Sequence, residues 1–263
     1  MFNAADGYER FMGRWSRALA DAFVDFAEVG AGERVLDVGA GTGSLALAVL
    51  EHAQAARVVG LEPSADFIGF ARARLGPAYA GRAWFEQGDA QRVPFANATF
   101  DKAISQFVMN FVPDRQSTLR EMIRVTKSGG VVAAAVWDYG DGMCMLRAFW
   151  DEAIALDRAA DPKDERHMPL CRAGELAAFW RSHGLRDVRE EPLVVTMAFA
   201  SFEDYWLPFL AGQGPAGAYA SALSADQRQR LEEGLRRRLL GDQDEGPIRL
   251  DARAWAVRGV VPT

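Results

Sequence analysis

The chain is poor in the residues that usually signal metal or redox chemistry. Among its 263 residues are two cysteines, Cys144 and Cys171, which form no CxxC pair, and three histidines. That scarcity argues against a structural zinc, an iron–sulfur cluster or a disulfide scaffold, and no metal site is expected. Cationic residues are in deficit: 30 Lys and Arg against 36 Asp and Glu leave a formal charge of −6. No global positive field therefore draws nucleic acid or anionic lipid. Long apolar runs are absent too. The stretch 131–137 is among the longest, far short of the roughly 18–20 residues a membrane span needs. The first residues carry acids and an early glycine but lack the apolar core of a secretory signal. Together these absences lead to the expectation of a cytoplasmic protein with no membrane span and no nucleic-acid partner.

What remains is an ordinary globular composition, 49% hydrophobic and 25% charged. Tyr8, Phe11, Met12, Trp15, Leu19, Phe23 and Phe26 recur at three- and four-residue steps, one face of a helix that Gly30 and Gly32 would end. Strands are expected at 34–38, 57–61, 83–87, 100–105 and 131–137. Helices alternate with them: one after the glycines at 39–43, one capped by Ser64, and one from Pro113 to a stop at Gly129-Gly130. Such alternation predicts a parallel sheet covered on both faces.

Beyond Trp137 the rhythm changes. Helices are expected over 146–160 and 173–183, with a polar break at 161–166, and two alternating strands near 187–199 and 250–261 should pair at one sheet edge. Between them Ser201 with Asp204, and Ser224 with Gln227, open helices over 201–211 and 224–240. The predicted architecture is α/β: a doubly wound, Rossmann-like, seven-stranded sheet with an N-terminal helix and helical lid insertions. Residues 1–29 form a helical cap, 30–138 the core, and 139–263 the rest of the same domain, with lid helices within 139–172 and 201–246.

In a doubly wound sheet ligands gather beyond the carboxyl ends of the strands. The residues there are Asp37 with Gly39-Ala40-Gly41-Thr42-Gly43, then Glu62, Asp89 and Ser105-Gln106-Phe107. The glycine turn reads G-x-G-x-G, which is neither the dinucleotide fingerprint nor a P-loop. Glu62 can accept both hydroxyls of a ribose, which fits NAD as well as any other adenosine ligand, and fits a solvated strand end equally. Asp89 and the following N–H, that of Ala90, can read an adenine edge. Three carboxylates around one pocket repel a pyrophosphate and suit a cationic adenosine compound without phosphate.

Val35-Leu36-Asp37-Val38 with the glycine turn, then Glu62, Gly88-Asp89-Ala90, Val93-Pro94-Phe95, Phe100-Asp101 and Lys127-Ser128-Gly129-Gly130, closely resembles the class I S-adenosylmethionine (SAM)-dependent methyltransferases. The branch most similar is the ubiquinone/menaquinone-biosynthesis type, which acts on small molecules. The resemblance is strong over 30–138 and loose elsewhere. It implies SAM as cofactor and S-adenosylhomocysteine (SAH) as product, with Gly39, Ala40 and Gly41 along the methionine part and Asp37 supporting that loop and the ammonium. It puts Glu62 at the ribose, Pro63 beside the base, Asp89 and Ala90 at the adenine, and Ser105 and Gln106 at the methionyl end and the acceptor. The sequence departs from the family at Ser128, where proline is usual. It also lacks the Asn/Asp-Pro-Pro-Tyr/Phe tetrapeptide of enzymes that methylate nucleic-acid or glutamine nitrogens.

The implied reaction is in-line methyl transfer to a small, partly apolar acceptor by a monomer or homodimer. The sulfonium already activates the methyl group, so alignment dominates, a contribution of about 7–11 kcal/mol. A nearby aromatic face, Phe107 or Trp15, would add cation–π attraction. No essential base is evident. His167 is a candidate from the lid, whereas His52 and His183 read as surface helix ends. Arg14 either pairs with the methionine carboxylate or is solvated. Met143, Met145, Trp150, Trp206 and Phe209 either line an acceptor pocket or fill the lid's own core. Arg236-Arg237-Arg238 reads as a solvated helix face. Two alternatives stand beside this reading: a non-catalytic SAM/SAH-binding module, and a nicotinamide-dependent oxidoreductase, which the glycine spacing and Asp89 disfavour.

Overall fold

Seven strands form one sheet in a computed structural model that describes residues 4–263. They are β1 (Arg34–Val38), β2 (Arg57–Glu62), β3 (Ala83–Gln87), β4 (Phe100–Gln106), β5 (Thr126–Trp137), β6 (Arg186–Phe199) and β7 (Ile248–Val260). Their spatial order is β3-β2-β1-β4-β5-β7-β6. The first five are parallel, and β7 runs antiparallel between β5 and β6. An antiparallel seventh strand inserted there separates this sheet from the dinucleotide-binding order 3-2-1-4-5-6. Central strands are apolar throughout because helices cover both faces: Val35, Leu36, Ala103, Ile104 and Ala133 are fully buried. The chain reverses direction across the sheet between β1 and β4, and a crevice opens at their carboxyl ends.

The helices are α1 (Ala4–Tyr8), α2 (Arg14–Phe26), α3 (Ser44–His52), α4 (Ala65–Leu75), α5 (Arg115–Val125), α6 (Cys144–Leu156), α7 (Glu175–Ser182), α8 (Phe202–Trp206), α9 (Gly214–Ala222) and α10 (Ala225–Leu240). A π-helical turn, Glu9–Gly13, joins α1 to α2. Of the expected N-terminal cap, residues 1–3 lie outside the described residues. Among the described residues no helix is long and apolar enough to cross a membrane.

Several boundaries differ from the sequence reading, each for a local reason. Helix α2 ends at Phe26, ahead of Gly30 and Gly32, because Glu28 turns the chain with a positive φ of 52°. Gly129 and Gly130 do not stop α5, which ends at Val125; they lie inside β5. A Cβ on Gly130 would sit 2.5 Å from the Asp101 carbonyl oxygen, so this glycine serves the close approach of β5 to β4. Residues 158–167, read partly as helix and partly as a break, are two 3-10 turns, Arg158–Lys163 and Glu165–His167. Helix α9 was not foreseen, since its Gly-, Ala- and Ser-rich sequence carries no apolar stripe.

Candidate active site

Strand β1 delivers Asp37 and Val38 to the glycine turn. Gly39, Gly41 and Gly43 have φ of 75°, 52° and 83°, which a side chain would strain. A Cβ on Gly39 would also collide with Val108. The turn is fastened from β2: the Gly39 and Ala40 N–H groups both donate to the Leu61 carbonyl, at 2.8 and 3.0 Å. Glu62 completes the fastening. Its Oε2 accepts from the Gly41 N–H and its Oε1 from the Ser64 N–H, both at 3.0 Å. One carboxylate thus ties the glycine turn to the start of α4, and each oxygen keeps a lone pair for a further donor. Burial raises the pKa of Glu62, against those two backbone bonds.

Asp37 is buried and its Oδ2 has no partner. Burial, and then the charge of Glu62, push its pKa up to about 8, with an Ala46 backbone bond opposing. Gln106, at the end of β4, donates from Nε2 to the Ser16 carbonyl at 2.8 Å, while its Oε1 is unpartnered. The Tyr8 hydroxyl and Ser16 Oγ are 2.9 Å apart. Tyr8, Ser16, Asp37, Gly41, Gln106 and Phe107 are among the residues enclosing a cavity of about 40 Å³. Two buried acceptor oxygens without donors, at about 1–3 kcal/mol each, mark a place for a ligand group rich in N–H. An ammonium, with three donors and a positive charge, matches them. The cavity holds a small polar group and not a whole nucleoside, because the Tyr8 and Ser16 segment lies across it.

The other expected ligand residues form a rim at the ends of β2 and β3. Pro63 is exposed, and its carbonyl accepts from Gln87 Nε2 at 2.9 Å. The exposed Asp89 carboxylate accepts from the Gln91 N–H at 2.8 Å, and Ala90 beside it is half-buried. Ser105 departs from expectation: it is fully buried and donates from Oγ to the Val38 carbonyl at 2.9 Å. It braces β4 against β1, whereas its neighbours Gln106 and Phe107 line the cavity.

No histidine lines that cavity. His167 is exposed, 3.5 Å from Asp161. His52 faces Asp21 and Asp25, and His183 Nδ1 lies 2.9 Å from the Phe179 carbonyl. Arg14 forms a two-pronged pair with Asp204 at 3.0 and 3.1 Å and stacks on Trp15 and Phe199. Its guanidinium is thereby committed to tying α2 to α8 instead of a methionine carboxylate. Trp15 packs edge-on against Phe199, so of the two expected aromatic faces it is Phe107, stacked on Trp137 at 4.3 Å, that lines the cavity, together with the ring of Tyr8. Met143, Met145, Trp150, Trp206 and Phe209 are all buried; they fill the interior of the α6–α10 layer, with Phe209 stacked on Phe149 at 4.6 Å. Arg236 pairs with Glu203 and Glu245, and Arg238 lies beside Asp151 and Glu152. Two of the three arginines therefore hold the layer together.

Ser16 escaped the sequence reading. It lies on a helix whose register toward the crevice is set by the π-turn, and no local pattern announces that turn.

The comparisons with known proteins agree with this geometry. Residues 35–130 match the family model of a methyltransferase domain. The matched stretch holds the glycine turn, Asp37 and Glu62. The chain is similar to a ubiquinone/menaquinone biosynthesis C-methyltransferase of Geobacter sulfurreducens, 38% identical over 101 residues, 38% of this chain and 40% of that protein. It is also similar to a chloroplastic 2-methyl-6-phytyl-1,4-hydroquinone methyltransferase of rice, 35% identical over 120 residues, 45% of this chain and 36% of that one. The chain thus spans less than half the length of these curated relatives. Its fold matches the structure of a Bacillus halodurans protein with a TM-score of 0.62 at 17% identity, covering 94% of this chain and all of the other. A [4+2]-cyclase shares the fold as well, with a TM-score of 0.53 at 21% identity over 90% of this chain and 80% of the other.

Proposed function

We propose that this chain transfers a methyl group from SAM to a small, partly apolar acceptor. The observation that carries the reading is the buried cavity walled by the unpartnered Asp37 Oδ2 and Gln106 Oε1, next to a glycine turn fastened by Glu62. These residues fit the cofactor: Asp37 and Gln106 would hold the ammonium, Gly39, Ala40 and Gly41 would lie along the methionine part, and Glu62 would take the ribose diol. Pro63, Asp89 and Ala90 would form the adenine rim, and Ser105 keeps the end of β4 in place. When bound, SAM supplies an electrophilic methyl group on a sulfonium. The protein's part is to hold the acceptor in line and to keep water out. Phe107 presents an aromatic face at the cavity, where a cation gains about 0.5–2 kcal/mol.

Residues 30–138 would act as the cofactor-binding core, with the N-terminal helices and the 139–172 and 201–246 segments as its cover. The names of the hydroquinone- and quinone-pathway relatives favour an acceptor with a flat apolar body. A monomer or homodimer in the cytoplasm, with no nucleic-acid partner, completes the reading.

The cyclase neighbour is the reason to keep a second reading, a SAM- or SAH-binding protein that transfers no methyl group. Methyl-labelled SAM incubated with panels of phenols, amines and carbon acids separates the two. Label in an acceptor is expected; SAM binding without any label transfer would favour the second reading.

A further inference from the structure

Beyond the carboxyl ends of β4 and β5 lies a second buried polar group that the cofactor reading does not use. Asn110 is 5% exposed. Its Nδ2 meets the Met168 thioether at 3.3 Å, and its Oδ1 has no partner. Thioether sulfur is a weak acceptor, so the carboxamide is poorly satisfied at both ends. The Tyr139 hydroxyl is near enough to feel Asn110 as a hydrogen-bonding neighbour, but no bond closes on Oδ1. Glu165 and Tyr8 act on the same hydroxyl, and Tyr8 lines the cofactor cavity. Asn110 itself follows three residues after Phe107, which also lines that cavity.

Aromatic rings surround Asn110 and Tyr139. Phe107 lies flat on Trp137, 15° from parallel, and Phe111 meets Tyr139 edge-on at 6.5 Å. Backbone strain brackets the same place: Phe107 and Leu170 have φ of 62° and 63°, a conformation costly for large side chains and found where function requires it. Phe107 lines the cavity, while Leu170 lines an open groove of about 760 Å³ with Pro113, Asp114, Pro169 and Phe179. Asn110 falls between Phe107 and Pro113 in the chain, and Met168 precedes Pro169.

We propose that Asn110 recognises the methyl acceptor: its free Oδ1, with Tyr139 beside it, takes a hydroxyl or N–H donor on a flat apolar molecule that enters from the groove and displaces the Met168 side chain. The proposal rests on the methyl-transfer reading, which supplies the cofactor wall of the subsite. A lone buried acceptor oxygen selects strongly against an analogue whose donor is capped.

The test is a titration of the SAH-loaded protein with naphthol and with its methyl ether. Naphthol is expected to bind at least about tenfold tighter than the ether. Asn110→Leu should erase that preference while SAH affinity stays within about twofold. Asn110→Ala removes the same oxygen without added bulk and serves if the leucine variant fails to fold. Met168→Ala should speed naphthol association and keep the preference. Equal affinity for the two probes, binding of neither, or a preference retained in a folded Asn110 variant overturns the assignment. If SAH itself does not bind, the cofactor reading fails first and takes this proposal with it.

Discussion

Burial and the neighbouring Glu62 charge hold the Asp37 carboxyl near a pKa of about 8, so the ligand-free protein keeps it largely protonated at neutral pH. A ligand ammonium beside Oδ2 favours the ionised form. Cofactor binding should then release a proton below about pH 8, and affinity should rise with pH until that value. Calorimetry in buffers of differing ionisation enthalpy reads this directly, as a net proton release near pH 7 that vanishes well above pH 8. The same shift has a sign for stability. A carboxyl whose folded pKa exceeds its unfolded one gives stability that is complete in acid and is lost as pH rises from about 4 towards 8. Asp37→Asn should flatten that decline in the ligand-free protein and weaken SAH binding by about tenfold or more, the worth of one hydrogen bond to a charged group. At this scale the local geometry of the candidate site was largely legible. Asp37, the glycine turn and Glu62 follow a strand within a few residues, and their chemistry is local. Ser105 was misjudged because only the register of β4 against β1 shows its hydroxyl turned to Val38.

Elements were legible where a period or a cap announced them. Ser64 and the Ser224–Gln227 box cap their helices as the sequence suggests. Elements whose boundaries depend on partners were not. Gly129-Gly130 looks like a helix stop in isolation, yet the demand on Gly130 comes from the backbone of β4. Gly130→Ala should accordingly cost about 1–3 kcal/mol in chemical denaturation, an overpacking penalty; an effect within a few tenths of a kcal/mol would return Gly130 to an ordinary turn role. The π-turn Glu9–Gly13 was equally invisible. It places Glu9 against Arg74 of α4 while Tyr8 and Ser16 reach the cavity, so side chains from both sides of the turn close over the cavity.

For the whole molecule, the proposed reading has the consequence that cofactor exchange requires the N-terminal helices to move. On that reading a cavity of about 40 Å³ beneath Tyr8 and Ser16 would enclose the methionine end, which could neither enter nor leave with those helices in place. The Arg14–Asp204 pair that ties α2 to α8 is partly exposed, which limits its worth to about 0.2–1 kcal/mol. Arg14→Ala is therefore expected to raise the SAH dissociation rate by no more than about fivefold, read by stopped-flow fluorescence. Trypsin should cut the ligand-free protein within the first helices faster than the SAH complex. The sheet itself was largely legible, because buried parallel strands write themselves as apolar runs. The insertion of β7 between β5 and β6 was not, since the sequence carries the pairing of those strands only as two similar alternating patterns far apart.

The central claim is that the crevice beyond β1 and β4 takes a cationic adenosine cofactor. Its most direct test is calorimetric titration of the cofactor-stripped protein with SAM, SAH and NAD in parallel. Micromolar binding of SAM and SAH, with none of NAD, is the predicted result; binding of NAD alone, or of none of the three, would contradict it.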